Sequence, residues 1–145
     1  MSRTRLEVQQ CVLCHTARRY GPGPTWDLLG IDYTQRLPPD AEFPFHLPRA
    51  DLFVRFLVTN GGPVEMAVRV WWLYPDGTNC GRMHDYRSTV AFPAGTVTHE
   101  HPFRLVNIPL RGEGLYTVRV CQRKRHRWKG PRWRVLGADY FHVVR

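Results

Sequence analysis

Residues 52–74 decide the fold, because they read LFVRFLVTNGGPVEMAVRVWWLY, with apolar side chains at alternate positions on both sides of a turn. A period of two places alternate side chains on opposite faces of a β-strand. The turn at residues 60–63, NGGP, contains glycine, which accepts positive φ values, and proline, which cannot extend a hydrogen-bonded ladder. The stretch therefore predicts a β-hairpin with two core rows: Leu52, Val54, Phe56 and Val58, then Val64, Met66, Val68, Val70, Trp72 and Tyr74.

Similar short alternations continue on both sides of this hairpin, and turn signals separate them. No segment of ten or more residues has the apolar period of a helix. Seven to nine short strands without intervening helices are typical of an antiparallel β-sandwich, in which two sheets pack face to face. A closed β-barrel produces a similar pattern and is the alternative fold.

Length and composition exclude several classes of protein. With 145 residues, the chain is long enough for one hydrophobic core and too short for two, so we expect one domain over residues 1–145. Hydrophobic residues make up 43% of the chain, which is enough to fold and argues against disorder. No apolar run reaches the roughly 18 residues of a membrane span, and the N-terminus lacks the apolar core of a signal peptide. We therefore expect a cytoplasmic protein without membrane association.

The positive charge is concentrated in one segment. Lysine and arginine number 21 against 12 acidic residues, which gives a net charge of +9. Seven of the 21 cations lie between Arg123 and Arg134, and the remainder of the chain has 14 cations against the 12 acids. A local excess of this kind requires a local explanation.

This segment, which we call the Arg/Trp tract, combines its cations with two tryptophans between two predicted strands. We expect residues 123–134 to form a protruding hairpin end. Cations neutralise phosphates and tryptophans stack on unpaired bases, so the tract suits RNA or single-stranded DNA. The same charges suit an acidic protein partner, or a solvated loop whose tryptophans cover the end of the sandwich. The candidate binding residues are Arg123, Lys124, Arg125, Arg127, Trp128, Lys129, Arg132, Trp133 and Arg134.

A second motif lies near the N-terminus, where Cys11, Cys14 and His15 match the pattern C-x-x-C-H. This spacing is used for covalent haem attachment, and the two cysteines also have a spacing found in zinc sites. A structural zinc site needs about four ligands and no second pair follows, while haem attachment is opposed by the missing export signal and the strand-like context. Haem or metal binding is therefore a remote alternative, and we expect reduced thiols and no cofactor.

One face of the predicted hairpin carries a candidate apolar interface. Phe53 and Leu57 on the first strand, with Trp71 and Leu73 on the second, lie opposite the rows expected in the core. If this face is exposed, it forms a large apolar patch suited to a dimer or a protein partner. If residues 34–50 cross the face, the patch disappears, and the sequence does not decide between these arrangements.

Several short motifs together resemble one known family. They are CVLC at residues 11–14, ARR at 17–19, WDLLGI at 26–31, FP at 43–44, VRV at 68–70, YPDG at 74–77, IPL at 108–110 and GLYTV at 114–118. Over most of the chain they resemble an uncharacterised bacterial family of small immunoglobulin-like β-sandwich proteins. The resemblance implies an immunoglobulin-like sandwich of bacterial, cytoplasmic origin and carries over no catalytic residue.

Patterns typical of enzymes are missing from the sequence. Neither Ser2 nor Ser88 lies in G-x-S-x-G, and no glycine-rich loop leads into a helix that would hold a phosphate. We therefore expect a non-enzymatic interaction module that binds a protein partner or a second copy of itself. Nucleic-acid binding through the Arg/Trp tract is the alternative hypothesis.

Overall fold

Ten β-strands form the described part of the protein, for which a computed structural model covers residues 4–22, 25–31, 34–61, 63–126 and 130–145. No helix occurs among these residues, so the expected all-β class is confirmed. The strands are β1 (Arg5–Cys14), β2 (Thr16–Arg19), β3 (Trp26–Leu29), β4 (Thr34–Arg36), β5 (Phe45–Thr59), β6 (Pro63–Leu73), β7 (Asn79–Ala91), β8 (Val97–Leu110), β9 (Gly114–His126) and β10 (Gly130–Val144). Their number exceeds the expected seven to nine, partly because the N-terminal segment is divided between β1 and β2.

The strands form three sheets. One has the order β1-β5-β8, a second has the order β4-β10-β9-β6-β7, and the third is the two-stranded β2-β3 hairpin. The short β4 runs parallel to β10, and the other described pairs are antiparallel. Among the described strands, β1 and β8 are the edges of one sheet and β4 and β7 are the edges of another. The sheets therefore do not close, and the barrel alternative is wrong for this part of the chain.

The two larger sheets share one hydrophobic cluster, to which each contributes its inward-facing side chains. Every described member of the two predicted core rows is at most 5% exposed, as expected from the period of two. Burial of a valine or leucine side chain stabilises the fold by roughly 1.5–3 kcal/mol, so these rows contribute substantially to the stability of the sandwich. The described members are Leu52, Val54, Phe56, Val58, Met66, Val68, Val70, Trp72 and Tyr74.

The predicted hairpin between β5 and β6 does not form. β5 pairs with β1 and β8, whereas β6 pairs with β7 and β9, so the turn after Thr59 carries the chain from one sheet to the other. Asn60 adopts a positive φ of 57°, and the N–H of Gly61 donates a hydrogen bond to the carbonyl of Gly95 at 3.3 Å. Side chain alternation identifies a strand without identifying its neighbour, and the prediction failed at that step.

Candidate interaction surface

The C-x-x-C-H residues do not converge on one ligand. Cys11 packs against the core between the sheets, whereas Cys14 belongs to a small cluster on the outer side of the three-stranded sheet. Residues three positions apart in a strand point to opposite faces, and both cysteines lie in β1. His15 is exposed, with its Nδ1 3.1 Å from the hydroxyl oxygen of Thr16. This geometry opposes the haem and metal hypothesis.

The protonation of the two thiols points the same way. Burial, assisted by the negative charge of Asp139, raises the pKa of Cys11 to about 12. Burial and the charge of Asp51 raise the pKa of Cys14 to about 11. Both thiols are therefore protonated near neutral pH, and a metal ion would have to displace their protons in order to bind. Within the described ranges, no group of three His, Cys, Asp or Glu side chains is arranged to hold a metal ion.

The predicted apolar interface is not one surface. Phe53 and Leu57 belong to β5 in the three-stranded sheet, whereas Trp71 and Leu73 belong to β6 in the five-stranded sheet. Phe53 is only 2% exposed and Leu73 only 8%, so neither offers area to a partner. Leu57 and Trp71 are half-buried. The four residues therefore do not form the predicted patch.

The β2-β3 hairpin covers the outer side of the three-stranded sheet. Trp26 of β3 packs on Phe53, with ring centroids 5.5 Å apart, and Ala17 of β2 belongs to the same buried cluster. Residues 34–50, which the sequence left open as a possible cover, include β4 and the first part of β5. Phe53 is therefore buried by the β2-β3 hairpin.

A buried carboxylate connects this hairpin to the sheet beneath it. Asp51 is 1% exposed, and its Oδ2 accepts hydrogen bonds from the backbone N–H of Ala17 at 2.9 Å and from Arg49 Nη2 at 3.1 Å. The Nε of Arg104 lies 3.8 Å from the other carboxylate oxygen. A buried charge is costly unless it is paired and hydrogen-bonded, so Asp51 depends on these partners. We assign Asp51 a structural role.

The outer side of the five-stranded sheet differs, because apolar side chains there remain accessible. The core residues of β6, β9 and β10 alternate with side chains that point away from the sandwich. We call the outward-pointing side of these three strands the outer face. Its described members include Arg69, Trp71, Leu115, Thr117, Arg119, Cys121, Arg123, Trp133, Val135 and Tyr140.

Three of these side chains expose about half of their surface: Leu115 at 54%, Val135 at 52% and Tyr140 at 50%. They lie on adjacent strands, since Tyr140 pairs with Thr117 of β9 and Val135 pairs with Cys121. Single exposed apolar residues are ordinary, but a group on one sheet face beside tryptophans is typical of an interaction surface.

Trp133 of the Arg/Trp tract lies on this outer face. Its ring meets Trp71 edge to face, with centroids 6.5 Å apart, and the Arg69 guanidinium carbon lies 4.2 Å from the Trp133 ring centroid. Asp85 accepts two hydrogen bonds from Arg69, one of them from Nη2 at 2.9 Å. Stacking of this kind contributes about 0.5–1 kcal/mol at exposed sites. Trp133 offers less ring surface to a nucleic-acid base, because Arg69 and Trp71 already contact its ring.

The described residues of the tract continue the antiparallel pairing of β9 and β10. Arg123 pairs with Trp133, and Arg134 pairs with Gln122. Arg123 therefore lies on the outer-face side, whereas Arg132 and Arg134 alternate to the opposite side. The side chains of Lys124 and Arg125 lie outside the described part, as do Arg127, Trp128 and Lys129 entirely.

Two arginines give the outer face its charge. Arg119 is exposed and Arg123 is half-buried, and none of the carboxylates in the described ranges forms an ion pair with either. The Nε of Arg123 and the Nε1 of Trp71 are buried and find no hydrogen-bond acceptor among the described residues. Buried donors without acceptors are costly, so this part of the surface is incompletely satisfied in the isolated chain.

A concavity of about 460 Å³ lies elsewhere, where the ends of β1 and β5 approach β10. Cys14, Arg49 and Phe141 are among its lining residues. Its main polar groups are already engaged, because Arg49 binds the Asp51 carboxylate and the Cys14 thiol donates to the Asp51 carbonyl at 3.5 Å. The outer face is therefore the stronger candidate site.

Of the ten outer-face residues named above, sequence reasoning singled out Trp71, Arg123 and Trp133. It missed the other seven, which include Leu115, Arg119, Val135 and Tyr140. A signal was present, since Leu115 and Arg119 occupy the opposite phase from the apolar row that includes Tyr116. The tract drew attention to its charge, whereas the accessible apolar area lies further along the same two strands.

Comparison with known proteins does not identify the chain. No protein-family model matches it, and no curated protein matches it. Within the ranges that the structure describes, no helix is long and apolar enough to cross a membrane. Inference about function therefore depends on the chemistry of the outer face.

Proposed function

We propose that the chain is a non-enzymatic, immunoglobulin-like β-sandwich that binds a protein partner through the outer face. The observation that carries the proposal is the exposure of Leu115, Val135 and Tyr140 on one side of β9 and β10. Protein interfaces combine apolar and aromatic contacts with arginine and are poor in lysine. The outer face has this composition. For example, Trp71 of β6 and Arg119 of β9 are paired directly across the two strands.

The strand order supports an immunoglobulin-like topology. Such folds pack two antiparallel sheets, and the chain crosses from one sheet to the other between consecutive strands, as it does here between β5 and β6. They also commonly contain a tyrosine whose hydroxyl bonds to backbone a few residues upstream. In this chain the Tyr116 hydroxyl donates to the carbonyl of Gly112 at 2.8 Å and accepts from the N–H of Arg111 at 3.0 Å. Trp72 packs on the same tyrosine, with ring centroids 6.3 Å apart.

A protein partner is favoured over RNA or single-stranded DNA. Binding of single strands relies on aromatic rings that are open for stacking, together with cations along the backbone path. Trp133 instead carries Arg69 on its ring and Trp71 at its edge. Binding of nucleic acid is therefore the alternative that the capture experiment must distinguish from binding of a protein.

The test is affinity capture from a native lysate, with and without nuclease treatment, with three forms of the full chain. They are the wild type, an outer-face variant with Leu115→Thr, Val135→Thr and Tyr140→Thr, and a control variant with Tyr20→Thr, Leu29→Thr and Val106→Thr. The control residues are also exposed apolar side chains, at 67%, 43% and 51%, and lie off the outer face. Threonine preserves β-propensity, so both variants should remain folded.

We expect one identified protein to bind the wild type and the control variant and to be lost with the outer-face variant. The purified pair should then reproduce this difference by calorimetry. Equal capture by all three forms, or loss only with the control variant, would overturn the proposal. Capture that disappears after nuclease treatment would assign the chain to nucleic-acid binding instead.

A further inference from the structure

The outer face combines its apolar area with two cations, Arg119 and Arg123, that form no ion pair with the carboxylates whose side chains the structure describes. Leu115, Arg119 and Arg123 follow one another at intervals of four positions in β9 and therefore share its outward side. The side chain of Arg119 is exposed, and no described carboxylate forms an ion pair with it or with Arg123. An incoming partner would therefore meet positive charge without first displacing any of the described carboxylates from either arginine.

One acid on this side of the five-stranded sheet, Asp85, is already engaged. Asp85 accepts two hydrogen bonds from Arg69, and that ion pair neutralises the arginine stacked on Trp133. The Asp85 carboxylate thereby holds the Arg69 guanidinium in place over the Trp133 ring. Arg119 and Arg123 remain as the charges available for recognition.

We propose that the partner is an acidic protein segment in extended conformation, with carboxylates that meet Arg119 and Arg123 and apolar side chains that meet Leu115 and Tyr140. This inference rests on the proposed function and specifies the partner. Four strand positions separate the two arginines, which corresponds to about 13 Å at 3.3 Å per residue. An extended segment with acids four residues apart has the same spacing.

Charge complementarity argues for this occupant over a second copy of the chain. The net charge of +9 makes two outer faces repel each other at low salt, whereas it attracts an acidic segment. A carboxylate also supplies the planar acceptor that a guanidinium group binds in a bidentate manner. Arg123 has an unused donor at Nε, although that atom is buried until the side chain shifts.

The test uses fluorescence anisotropy with three labelled probes and the full chain. The first probe is a decapeptide in which glutamate and valine take turns at every second position, with threonine between them, so that acids four residues apart and apolar side chains share one face of the extended chain. The second probe replaces each glutamate by lysine, and the third is a twenty-nucleotide oligothymidine. The protein forms are the wild type, an Arg119→Gln, Arg123→Gln variant and an Arg5→Gln, Arg18→Gln control. The control removes the same charge from β1 and β2, where both arginines lie near acids, Glu7 and Asp27.

We expect the glutamate peptide to bind at least about tenfold more tightly than the lysine peptide, with affinity that falls as salt rises. The Arg119, Arg123 variant should lose about tenfold in affinity, and the control should change less than about twofold. Equal binding of the two peptides, or equal losses in both variants, would overturn the inference. Tighter binding of oligothymidine would replace it with nucleic-acid recognition.

The inference and the proposed function fail in different ways. If capture from lysate depends on Leu115, Val135 and Tyr140 but not on Arg119 and Arg123, the protein-binding proposal stands and the acidic partner is wrong. If the glutamate peptide discriminates between variants while no captured protein depends on the outer face, the proposed function is wrong. A salt-stable dimer by light scattering that dissociates in the outer-face variant would assign the surface to a second copy.

Discussion

Phe53 and Trp71 are both aromatic side chains on the outward side of a strand inside its sheet, yet their surroundings differ. Phe53 is 2% exposed beneath Trp26, whereas Trp71 is half-buried on a face where Leu115 is 54% exposed. The difference comes from the β2-β3 hairpin, which Asp51 connects to one sheet only. An apolar residue on the outside of a sheet is structural where another segment covers it and available for binding where none does.

The largest expected effect is the loss of the covered aromatic. Phe53→Ala should lower the free energy of unfolding by about 3–5 kcal/mol, because it leaves a cavity between the sheet and the hairpin. Trp71→Ala should cost less than about half as much, since its ring is only half-buried. Urea denaturation of both variants measures the difference. Similar losses would mean that the two outward sides are equally structural.

The second comparison concerns the acids of the two sheets. Asp51→Ala should lower the free energy of unfolding by about 3 kcal/mol. This is the lower end of the range for a broken buried ion pair, because the Arg49 side chain is 35% exposed. Asp85→Ala removes an acid whose side chain is 59% exposed and should cost less than about 1 kcal/mol. The same urea measurements apply. An equal cost for both acids would contradict the structural role given to Asp51.

The third comparison uses the thiols as reporters of the hairpin cover. Because burial and the charge of Asp51 raise the pKa of Cys14 to about 11, alkylation at pH 8 should be at least about a hundredfold slower than for an ordinary thiol. The rate should rise about tenfold per pH unit up to pH 10, since the thiolate fraction grows until the pH reaches the pKa.

Site-resolved mass spectrometry can follow this labelling in the Phe53→Ala variant. Labelling of Cys14 should accelerate because the hairpin cover opens more often. Cys121, which is 4% exposed on the five-stranded sheet, serves as the control and should keep its rate. Parallel acceleration of both thiols would indicate global unfolding instead of a loosened cover.

The smallest expected effect concerns the uncovered residues. Each of Leu115→Thr, Val135→Thr and Tyr140→Thr should change the free energy of unfolding by about 0.5 kcal/mol or less, as is usual for exposed positions. Thermal unfolding of the single variants checks this. A loss above about 2 kcal/mol at any of them would show that the outer face is needed for folding and would weaken its assignment as a binding surface.

Much of the fold followed from local pattern. The core rows from Leu52 and from Met66 were predicted from the period of two, and their described members are buried. Strand partners were not predictable in the same way, because the NGGP turn suits a hairpin as well as a crossing between sheets. The Arg/Trp tract was recognised by its charge, but the position of Trp133 against Arg69 depends on residues far apart in sequence.

The sequence by itself determined the all-β class and the phase of the core rows, because alternation is a local consequence of strand geometry. It also determined where the excess charge lies, at residues 123–134. The tertiary structure decided that Phe53 is covered, that Cys11 and Cys14 face opposite ways, and that Leu115, Val135 and Tyr140 share one side. These outcomes depend on which distant segments pack together, and the free energy of that packing is shared by residues that no local pattern connects.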